Sequence, residues 1–514
     1  MRLSNNYNLK HRLYFFLSFI VLIFVLFVFR LIDLQVIKYD YFKQEANSQY
    51  SINYLDNFDR GKIYFSKLNS ESVIAADVNE EMIKKNGKEI IRKNRFYPFD
   101  NLASKVLGFV AYDENTRVGR YGIEKYYNDV LSRDSSKVYT NYFAEIFGDI
   151  KGNITNNKPY HEGSLVLTID VEAQKYLHET LRETHDKWQS DDIGGIVMDP
   201  RDGRIIAMEG LPDYNINDFG TVKDASLFQN RLVSGVYEMG SIIKPLTMAA
   251  ALDAGVVDEN TFYEDTGVRV LNGYKVYNFD KTARGWSSMQ LILDKSLNVG
   301  IVFLVEKLGQ ERFNEYFKKF GFGEETGIDL PNELSGLTAS LDSEIFIDAA
   351  TAGFGQGIAL TPIQTIRALA TLANGGKLIN PYIVDSIKYK SGSNKKITPN
   401  DAEQILATST SERVSRMLVH VVDTSLGNGA YKMAHYTVAA KTGTAQMPKN
   451  GGGYYDDRYL HSFFGYFPAY DPQFIIFLYH THPKGAEYAS KTLTDPFYKL
   501  TNFLISYYGV QPDR

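Results

Sequence analysis

The apolar run from Leu13 to Phe29 is the feature that most limits how this chain can fold. It reads LYFFLSFIVLIFVLFVF, contains no charged residue and is flanked by Arg12 and Arg30. At 1.5 Å per helical residue, the run nearly spans the roughly 30 Å hydrocarbon layer of a bilayer. The segment RLIDLQVIKYDYF that follows lacks the small-residue cleavage site of a signal peptide. We therefore predict a retained transmembrane anchor over residues 13–32.

The charges around this anchor predict its orientation. Arg2, Lys10 and Arg12 precede the apolar run without any acidic residue, and positive flanking charge favours the cytoplasmic side. Residues 1–12 are thus predicted to form a cytoplasmic tail, and the chain after Arg30 to lie outside. No later stretch is long and apolar enough to span again. We expect a single-pass protein of the plasma (inner) membrane whose bulk is extracytoplasmic.

Composition excludes several classes of function. The length of 514 residues predicts roughly three folding units at about 150 residues each. Lys plus Arg total 56 and Asp plus Glu total 61, so the net charge of −5 gives no electrostatic basis for binding nucleic acid. Cysteine is absent, which excludes disulfides, thiol catalysis and cysteine metal sites, and which suits an oxidising compartment.

The pattern beyond the anchor predicts two domains. Residues 33–160 are polar with short alternating runs, which indicates a β-containing, non-catalytic pedestal. Turn-forming residues collect from Asn153 to Gly163, and a larger mixed α+β domain is expected over 161–514. In it we predict strands at Ser164–Asp170, Tyr436–Ala440 and Gln473–Tyr479, helices at Asp170–Trp188, Lys244–Ala254 and Ile363–Ala373, and a flexible loop at Pro448–Tyr459.

Ser241 and Lys244, in the segment YEMGSIIKPLT, are the first candidates for chemistry. They stand three residues apart at a predicted helix start, and positions i and i+3 share a helix face. A serine hydroxyl is a weak nucleophile unless a neighbouring base accepts its proton, and an unprotonated amine can do so. A second basic group nearby would lower the pKa of the lysine. Alone, the pattern is more typical of a helix-capping serine beside a solvated lysine.

Two further motifs follow along the chain. SLN, Ser296 to Asn298, precedes an apolar helix, where such residues usually cap the helix. KTGTAQ, Lys441 to Gln446, follows the strand-like YTVAA, so a lysine, two hydroxyls and a glycine are expected along the end of a strand. The glycine allows another backbone to approach closely. In the order S-x-x-K, S-x-N, K-T-G, the three form the signature of serine acyltransferases, with SLN at the S-D-N position.

With these motifs the chain resembles a class B penicillin-binding protein, a membrane-anchored peptidoglycan D,D-transpeptidase, over nearly its whole length. The resemblance implies an α+β fold: a penicillin-binding/β-lactamase-like transpeptidase domain, with an antiparallel sheet flanked by helices, on the smaller pedestal. GFGQG lacks the setting of a dinucleotide site and is interpreted as a structural loop. Further segments match the family in order: RLIDLQ after the anchor, Arg60-Gly61, GRYGIEKYYNDVL at 119–131, LTID at 167–170, FGFGEETGIDLP at 320–331 and FGQGIALTPIQ at 354–364.

The resemblance also implies a role for each motif residue. Ser241 would attack the penultimate D-alanine carbonyl of a stem peptide, with Lys244 as proton acceptor. Ser296 would relay the proton to the leaving amine, and Lys441 would supply positive potential that keeps Lys244 neutral and attracts the terminal carboxylate. The remaining residues would bind substrate: Asn298 through its amide, Thr442 and Thr444 through their hydroxyls, Gly443 by letting the peptide lie along the strand, and the N–H groups of Ser241 and Thr444 as oxyanion hole.

The same resemblance implies the reaction and the inhibitors. The amine of a second stem would complete a cross-link, β-lactams would trap Ser241, and no metal or organic cofactor is needed. Alternatives remain: a D,D-carboxypeptidase, a β-lactamase or β-lactam sensor, and an inactive scaffold of the wall-synthesis complex. Met239 replaces a usual proline, Ala440 replaces a usual glycine, and SKLNSESVIAA lacks a usual charged turn, but none of these departures removes a reacting group.

Partner and cellular role also follow from the resemblance alone. It implies a polytopic membrane glycosyltransferase partner that binds through RLIDLQ and the juxtamembrane helix. YEMGS with Glu238, and SFFGYFPAYDP after KTGTAQ, are more similar to the cell-division type than to the elongation type, which implies septal synthesis. The nine histidines are dispersed along the chain, and we expect His461, near the motif, to be structural.

Overall fold

The computed structural model describes residues 5–33, 37–39, 58–85, 88–113, 116–133, 162–398, 402–449 and 451–514. The predicted boundary at Asn153 to Gly163 lies almost wholly outside these residues. Leu34 and Gln35 of the RLIDLQ segment also lie outside them.

The helices and strands are as follows, in chain order. Up to residue 170 they are α1 (Asn5–Ile32), β1 (Ile63–Lys67), β2 (Glu71–Lys85), β3 (Lys88–Phe96), α2 (Ser104–Leu107), β4 (Val110–Asp113), β5 (Thr116–Gly119), α3 (Gly122–Tyr126), α4 (Asn128–Leu131) and β6 (Gly163–Asp170). Up to residue 319 they are α5 (Val171–Trp188), β7 (Asp192–Met198), β8 (Ile205–Leu211), α6 (Arg231–Ser234), α7 (Lys244–Asp253), β9 (Phe262–Asp265), β10 (Val268–Leu271), β11 (Tyr274–Tyr277), β12 (Gly285–Ser288), α8 (Met289–Asp294), α9 (Asn298–Leu308) and α10 (Gln310–Lys319). The rest are α11 (Phe346–Ala352), α12 (Pro362–Ala370), β13 (Lys377–Leu378), β14 (Val384–Tyr389), β15 (Asn394–Lys396), β16 (Glu403–Gln404), α13 (Thr408–His420), β17 (Ala439–Pro448), β18 (Tyr454–Phe467), β19 (Phe474–Thr481), α14 (Ala489–Thr492) and α15 (Thr494–Tyr508).

Helix α1 contains the predicted anchor and begins before it, within the predicted tail. Its residues Arg12–Ile32 form the one helix in the described ranges that is long and apolar enough to cross a membrane, and none of that window is buried against the rest of the protein. Large exposed apolar side chains are unfavourable in water and favourable in lipid. The helix therefore fits a membrane-anchored protein.

A six-stranded sheet connects the first part of the chain to the second. Its order is β15-β14-β6-β1-β2-β3. Strands β1 and β6 are parallel, with Ile63 opposite Leu165, and the other neighbours are antiparallel. Apolar side chains from the central strands, including Phe65 and Leu167, are fully buried. The sheet is thus continuous across the gap between residues 133 and 162.

A buried ion cluster joins segments of the chain between residues 60 and 128. Arg60 Nε lies 2.5 Å from one carboxylate oxygen of Glu124, and Arg95 Nε lies 2.7 Å from the other. Burial alone would raise the pKa of Glu124, but the two guanidinium groups lower it below its ordinary value. Arg60 also donates to the side chain of Asn128 at 3.1 Å. Arg60 thus contacts the segment GRYGIEKYYNDVL through Glu124 and Asn128.

A five-stranded antiparallel sheet, in the order β17-β18-β19-β7-β8, forms the centre of the second part. Its two faces carry separate apolar cores. Phe463 packs in a cluster with Leu177 of α5 and Phe497 of α15, whereas the adjacent Phe464 belongs to the cluster that contains Leu246 of α7. Helices therefore cover both faces of the sheet. This confirms the predicted α+β architecture of an antiparallel sheet flanked by helices.

Local sequence signals explain several element boundaries. The carboxylate of Asp170 accepts hydrogen bonds from the N–H groups of Glu172 and Ala173 at 2.9 and 3.0 Å, and so caps α5 as predicted. Thr361 and Gln364 form a reciprocal capping box at the start of α12. That helix ends at Ala370, earlier than predicted, whereas α7 matches its predicted range closely.

Two predictions near the K-T-G motif were wrong. The strand predicted at Tyr436–Ala440 begins only at Ala439 and continues through the motif to Pro448. The loop predicted at Pro448–Tyr459 is shorter, because β18 already begins at Tyr454. The reason is the ladder between β17 and β18, whose backbone hydrogen bonds hold extended a local sequence that contains Gly, Pro and Asp residues, which strands disfavour.

Candidate active site

Ser241 lies in a short 3₁₀ turn, Gly240 to Ile242, directly before α7. Gly240 has a φ of +65°, in the left-handed region that glycine tolerates, and its N–H donates to the carbonyl of Gly355 at 3.0 Å. The preceding Tyr237 exchanges two backbone hydrogen bonds of 2.9 Å with Leu360. Ser241 is half-buried. The turn thus holds the serine at the surface of the core, at the amino end of a helix.

Lys244 is completely buried one helical turn after Ser241. Its Nζ atom donates to the Ser296 carbonyl at 2.6 Å and to the Asn298 Oδ1 atom at 2.7 Å, and it lies 3.2 Å from the Ser296 hydroxyl. Burial lowers the pKa of Lys244 well below 10.5, and the positive charge of Lys441 lowers it further. A lowered pKa makes the neutral, basic form of the lysine more accessible, which makes Lys244 a candidate general base.

The S-x-N motif does not cap a helix through its serine. Ser296 has a φ of +54°, and α9 begins at Asn298 without a side-chain cap. The strained backbone of Ser296 turns both its carbonyl and its hydroxyl toward Lys244. The Asn298 amide nitrogen donates to the carbonyl of Tyr277 at 2.9 Å while its oxygen accepts from Lys244. Both motif residues therefore face the lysine.

Lys441 reaches the same hydroxyl from the sheet. It lies within β17 and is 5% exposed, and its Nζ atom donates to Ser296 Oγ and to the Thr442 carbonyl, both at 3.2 Å. Burial lowers the pKa of Lys441 to about 8, although the charge of Asp294 acts in the opposite direction. Ser296 Oγ is thus shared by two lysines that come from different elements.

The other residues of the K-T-G strand have distinct surroundings. Strand β17 is an edge strand, so its outer backbone groups are available to an extended ligand. Thr442 and Thr444 are half-buried, and Thr444 Oγ1 accepts from the N–H of Ala489 at 3.1 Å. A side-chain carbon on Gly443 would lie 2.7 Å from the Met239 carbonyl oxygen. Packing against the Ser241 turn is therefore a second reason for glycine at this position.

The two substitutions that border the motifs fit their surroundings. Met239 is 1% exposed, and its carbonyl accepts from the hydroxyl of Ser462 at 2.7 Å. Ala440 is opposite Gly465 in the ladder, and a side-chain carbon on that glycine would lie 2.9 Å from the Ala440 methyl group. The missing side chain of Gly465 therefore makes room for the methyl group of Ala440.

Sequence patterns missed several residues that shape this site. Asn278 is completely buried; its amide nitrogen donates to both carboxylate oxygens of Asp265 at 2.9 and 3.0 Å, and its oxygen accepts from the N–H of Val299 at 3.1 Å. It fixes the segment that follows β11 to the start of α9. The only signal was one polar residue between aromatic neighbours in VYNFD.

His461 and Glu238 lie in the packing around the motifs. His461 Nδ1 is 2.9 Å from Thr492 Oγ1 and its Nε2 is 3.1 Å from the Glu487 carbonyl. Burial lowers the pKa of His461 to about 4, so the ring is neutral at physiological pH. Glu238 accepts from the Gly357 N–H and the Tyr454 hydroxyl, both at 3.0 Å. It links the Ser241 turn to the loop that follows α11 and to β18.

The chain is similar to known proteins in sequence and in fold. Residues 193–501 match the model of the penicillin binding protein transpeptidase domain. The chain belongs to this family. All eight motif residues lie within the matched range. The match confirms the predicted family and places the five-stranded sheet, the Ser241 turn and the two lysines in one domain.

Individual relatives agree with the family assignment. The chain is 33% identical over 411 residues to stage V sporulation protein D of Bacillus subtilis, a match that covers 78% of this chain and 62% of that protein. It thus spans less than two thirds of that relative's length. It is 27% identical over 429 residues to the peptidoglycan D,D-transpeptidase FtsI of Escherichia coli K12, covering 82% of this chain and 68% of that protein.

A solved structure has the same fold. Penicillin-binding protein 3 of Mycobacterium tuberculosis, in complex with aztreonam, aligns with a TM-score of 0.75 and 25% identity. The alignment covers 89% of this chain and 98% of that one. The similarity therefore extends beyond the matched domain into the part of the chain before residue 193.

Proposed function

We propose that this protein is a serine D,D-transpeptidase that cross-links peptidoglycan stem peptides in septal cell-wall synthesis and that β-lactams acylate at Ser241. One observation carries the proposal: Ser296 Oγ lies 3.2 Å from the Nζ atoms of both Lys244 and Lys441, beside the Ser241 turn. Two buried lysines on one hydroxyl are unfavourable for stability, so this arrangement is typical of a site that moves protons. The name of the Escherichia coli relative, peptidoglycan D,D-transpeptidase, supports the substrate class. The septal role rests on the similarity of YEMGS and SFFGYFPAYDP to the cell-division type.

The first step forms an acyl-enzyme. Neutral Lys244 accepts the proton of Ser241 as the serine oxygen attacks the carbonyl of the penultimate D-alanine. The oxyanion that forms accepts hydrogen bonds from the backbone N–H groups of Ser241 and Thr444. The carbon–nitrogen bond to the terminal D-alanine then breaks, and the proton passes from Lys244 through Ser296 to the leaving amine. The amine of a second stem reverses these proton transfers and forms the cross-link.

The remaining residues bind the donor peptide. With a pKa of about 8, Lys441 stays largely protonated at pH 7, so it attracts the terminal carboxylate and disfavours the charge on Lys244. Thr444 Oγ1 accepts from Ala489, which leaves its hydrogen to donate to the carboxylate beside Thr442. The stem peptide extends along the open edge of β17 past Gly443, and Asn298 orients it.

The experiment is an assay with a synthetic stem peptide that ends in D-Ala-D-Ala and an amine acceptor, using the full chain in detergent. A product that contains the acceptor supports transpeptidation, whereas release of D-alanine with water alone would assign a D,D-carboxypeptidase. Rapid turnover of penicillin would assign a β-lactamase. If protein that melts cooperatively reacts with neither stem peptide nor penicillin, the remaining alternative is an inactive scaffold of the wall-synthesis complex. The variant Ser241→Ala is the control in every case.

The cellular role has its own test. A tagged protein is expected at the septum, and placement along the side wall would contradict the division role.

The domain limits, orientation and partner extend this proposal. We propose a cytoplasmic tail at 1–12, an anchor at 13–32, a pedestal at 33–160 and the transpeptidase domain at 161–514, anchored in the plasma membrane with the catalytic domain outside. The basic residues before the anchor support the orientation. A polytopic glycosyltransferase is proposed to bind the anchor. Exchanging residues 13–32 for an unrelated helix should abolish co-purification, and unchanged co-purification would contradict the partner.

A further inference from the structure

Ser462 is a completely buried serine in the middle of β18, between His461 and Phe463. It has no place in the three motifs. Its hydroxyl donates to the carbonyl of Met239 at 2.7 Å, two residues before Ser241. A buried hydroxyl that bonds a backbone carbonyl fixes that peptide unit in space.

Ser462 and Gly443 form a directly opposed pair in the β17–β18 ladder. Opposed residues point to the same face of a sheet. A side-chain carbon built on Gly443 would lie 2.3 Å from Ser462 Oγ. The serine hydroxyl therefore occupies the space above Gly443 and crosses the edge strand to reach the Ser241 turn.

We infer that Ser462 is a positioning residue for the nucleophile, and that the glycine of K-T-G is required so that this hydroxyl can reach Met239. The hydrogen bond from Ser462 to Met239 connects the turn that carries Ser241 to β18, the strand that pairs with β17 and its residue Lys441. It thereby sets the distance between the nucleophile and the positive group that binds the substrate carboxylate. This inference rests on the proposed function for its catalytic consequence, but its geometric content does not depend on that function.

The catalytic test measures acylation by a fluorescent penicillin with the full chain in detergent. In Ser462→Ala, the first-order acylation constant at saturating penicillin is expected to fall about tenfold, because the turn loses one fixed contact. The half-saturating concentration should change by less than about twofold, since Ser462 does not touch the ligand.

The matched control is Ser411→Ala. Ser411, on α13, is also buried, and its hydroxyl donates to the Leu372 carbonyl at 2.8 Å. This bond joins α13 to the segment after α12 and does not involve the Ser241 turn. Each variant loses one buried hydroxyl hydrogen bond, but the Leu372 carbonyl keeps a second one from the Ser415 hydroxyl at 3.1 Å, so Ser411→Ala should lose somewhat less thermal stability. Equal acylation constants in the two variants would overturn the inference.

A second test does not depend on acyl-transfer activity. The chain contains no cysteine, so Ser241→Cys carries a single thiol. Adding Ser462→Ala to this protein is expected to slow its alkylation by iodoacetamide about threefold, because the thiol is no longer held in its fixed surroundings. Ser411→Ala should leave the rate unchanged. If the parent protein is not acylated by penicillin but the thiol rate falls, the proposed function fails and the positioning role stands.

A third comparison addresses the glycine. An alanine side chain at position 443 would clash with the Ser462 hydroxyl. Gly443→Ala should therefore lower the melting temperature less in the Ser462→Ala background than in the parent protein. Strictly additive losses would contradict the relation between the two residues.

Discussion

The Nζ atom of Lys441 lies 3.2 Å from the Oγ atom of Ser296, a hydroxyl that Lys244 contacts at the same distance. Two groups that carry positive charge when protonated are thus held on one neutral oxygen, inside the protein. Burial and mutual repulsion both disfavour protonation of the second lysine. In the proposed mechanism the pair works as one unit, in which Lys441 holds the charge and Lys244 accepts a proton.

The acylation rate is expected to decrease above about pH 8. Lys441, with its pKa near 8, loses the charge that binds the substrate carboxylate. The variant Lys441→Arg keeps that charge to much higher pH, so its rate should not decrease between pH 8 and 9.5, whatever its absolute value. The measurement is acylation by penicillin against pH. The same alkaline decrease in both proteins would assign it to another group.

Gly355→Ala is expected to impair acylation about 100-fold. A side-chain carbon at Gly355 would lie 2.2 Å from the carbonyl oxygen of Gly240 and would displace the Ser241 turn. Gly273→Ala is the matched control, because Gly273 has a similar φ, +82° against +80°, but open space around it. Both variants carry the same backbone strain, about 1 kcal/mol of unfolding free energy. Acylation at the parent rate in Gly355→Ala would contradict the prediction.

The buried histidine predicts part of the pH dependence of stability. The unfolded chain binds a proton at His461 below pH 6.5, whereas the folded protein binds it only below about 4. The free energy of unfolding should therefore decrease as the pH falls from 6.5 to 4, by about 3 kcal/mol for this one site, and then level off.

Substitution of the histidine tests this dependence. His461→Gln keeps hydrogen-bonding groups for Thr492 and the Glu487 carbonyl but cannot be protonated, so its melting temperature should depend less on pH over this range. The exposed His435→Gln serves as control and should follow the parent. Equal slopes for all three proteins would show that His461 does not titrate as proposed.

Glu124→Gln is expected to destabilise the pedestal by about 3–5 kcal/mol, because it leaves two buried guanidinium groups without a counter-charge. The control is Asp59→Asn, which breaks a more exposed ion pair with Arg133 of 2.8 Å. That pair contributes at most about 1 kcal/mol. Urea unfolding measures both changes in the free energy of unfolding. Similar decreases in the two variants would contradict the prediction that Glu124 contributes more to stability than Asp59.

The sequence predicted the parts of this fold that depend on local chemistry. The apolar run of α1, the Asp170 cap of α5 and the strand Ser164–Asp170 all carry signals within a few residues of each other. The order of the three motifs also predicted the family, which the match over residues 193–501 confirms. These features could be found because each is encoded in a short segment.

Other features depend on contacts between distant segments. The strand at the K-T-G motif begins at Ala439 rather than at Tyr436 and continues to Pro448, because its extent is set by pairing with β18. A serine just before a helix usually caps it, but Ser296 does not cap α9, and its hydroxyl instead contacts Lys244, 52 residues away. Ser462 could not be identified for the same reason: its partner, Met239, is 223 residues away.

Covalent labelling by a fluorescent penicillin tests the central claim most directly. The full chain in detergent is incubated with the label beside a Ser241→Ala variant, and adduct is read on a denaturing gel and by the mass of the labelled peptide. We predict a slowly hydrolysed adduct on the peptide that contains Ser241, absent from the variant. Equal labelling of both proteins, or no labelling of protein that melts cooperatively and no reaction with stem peptides, would contradict the assignment of Ser241 as the nucleophile.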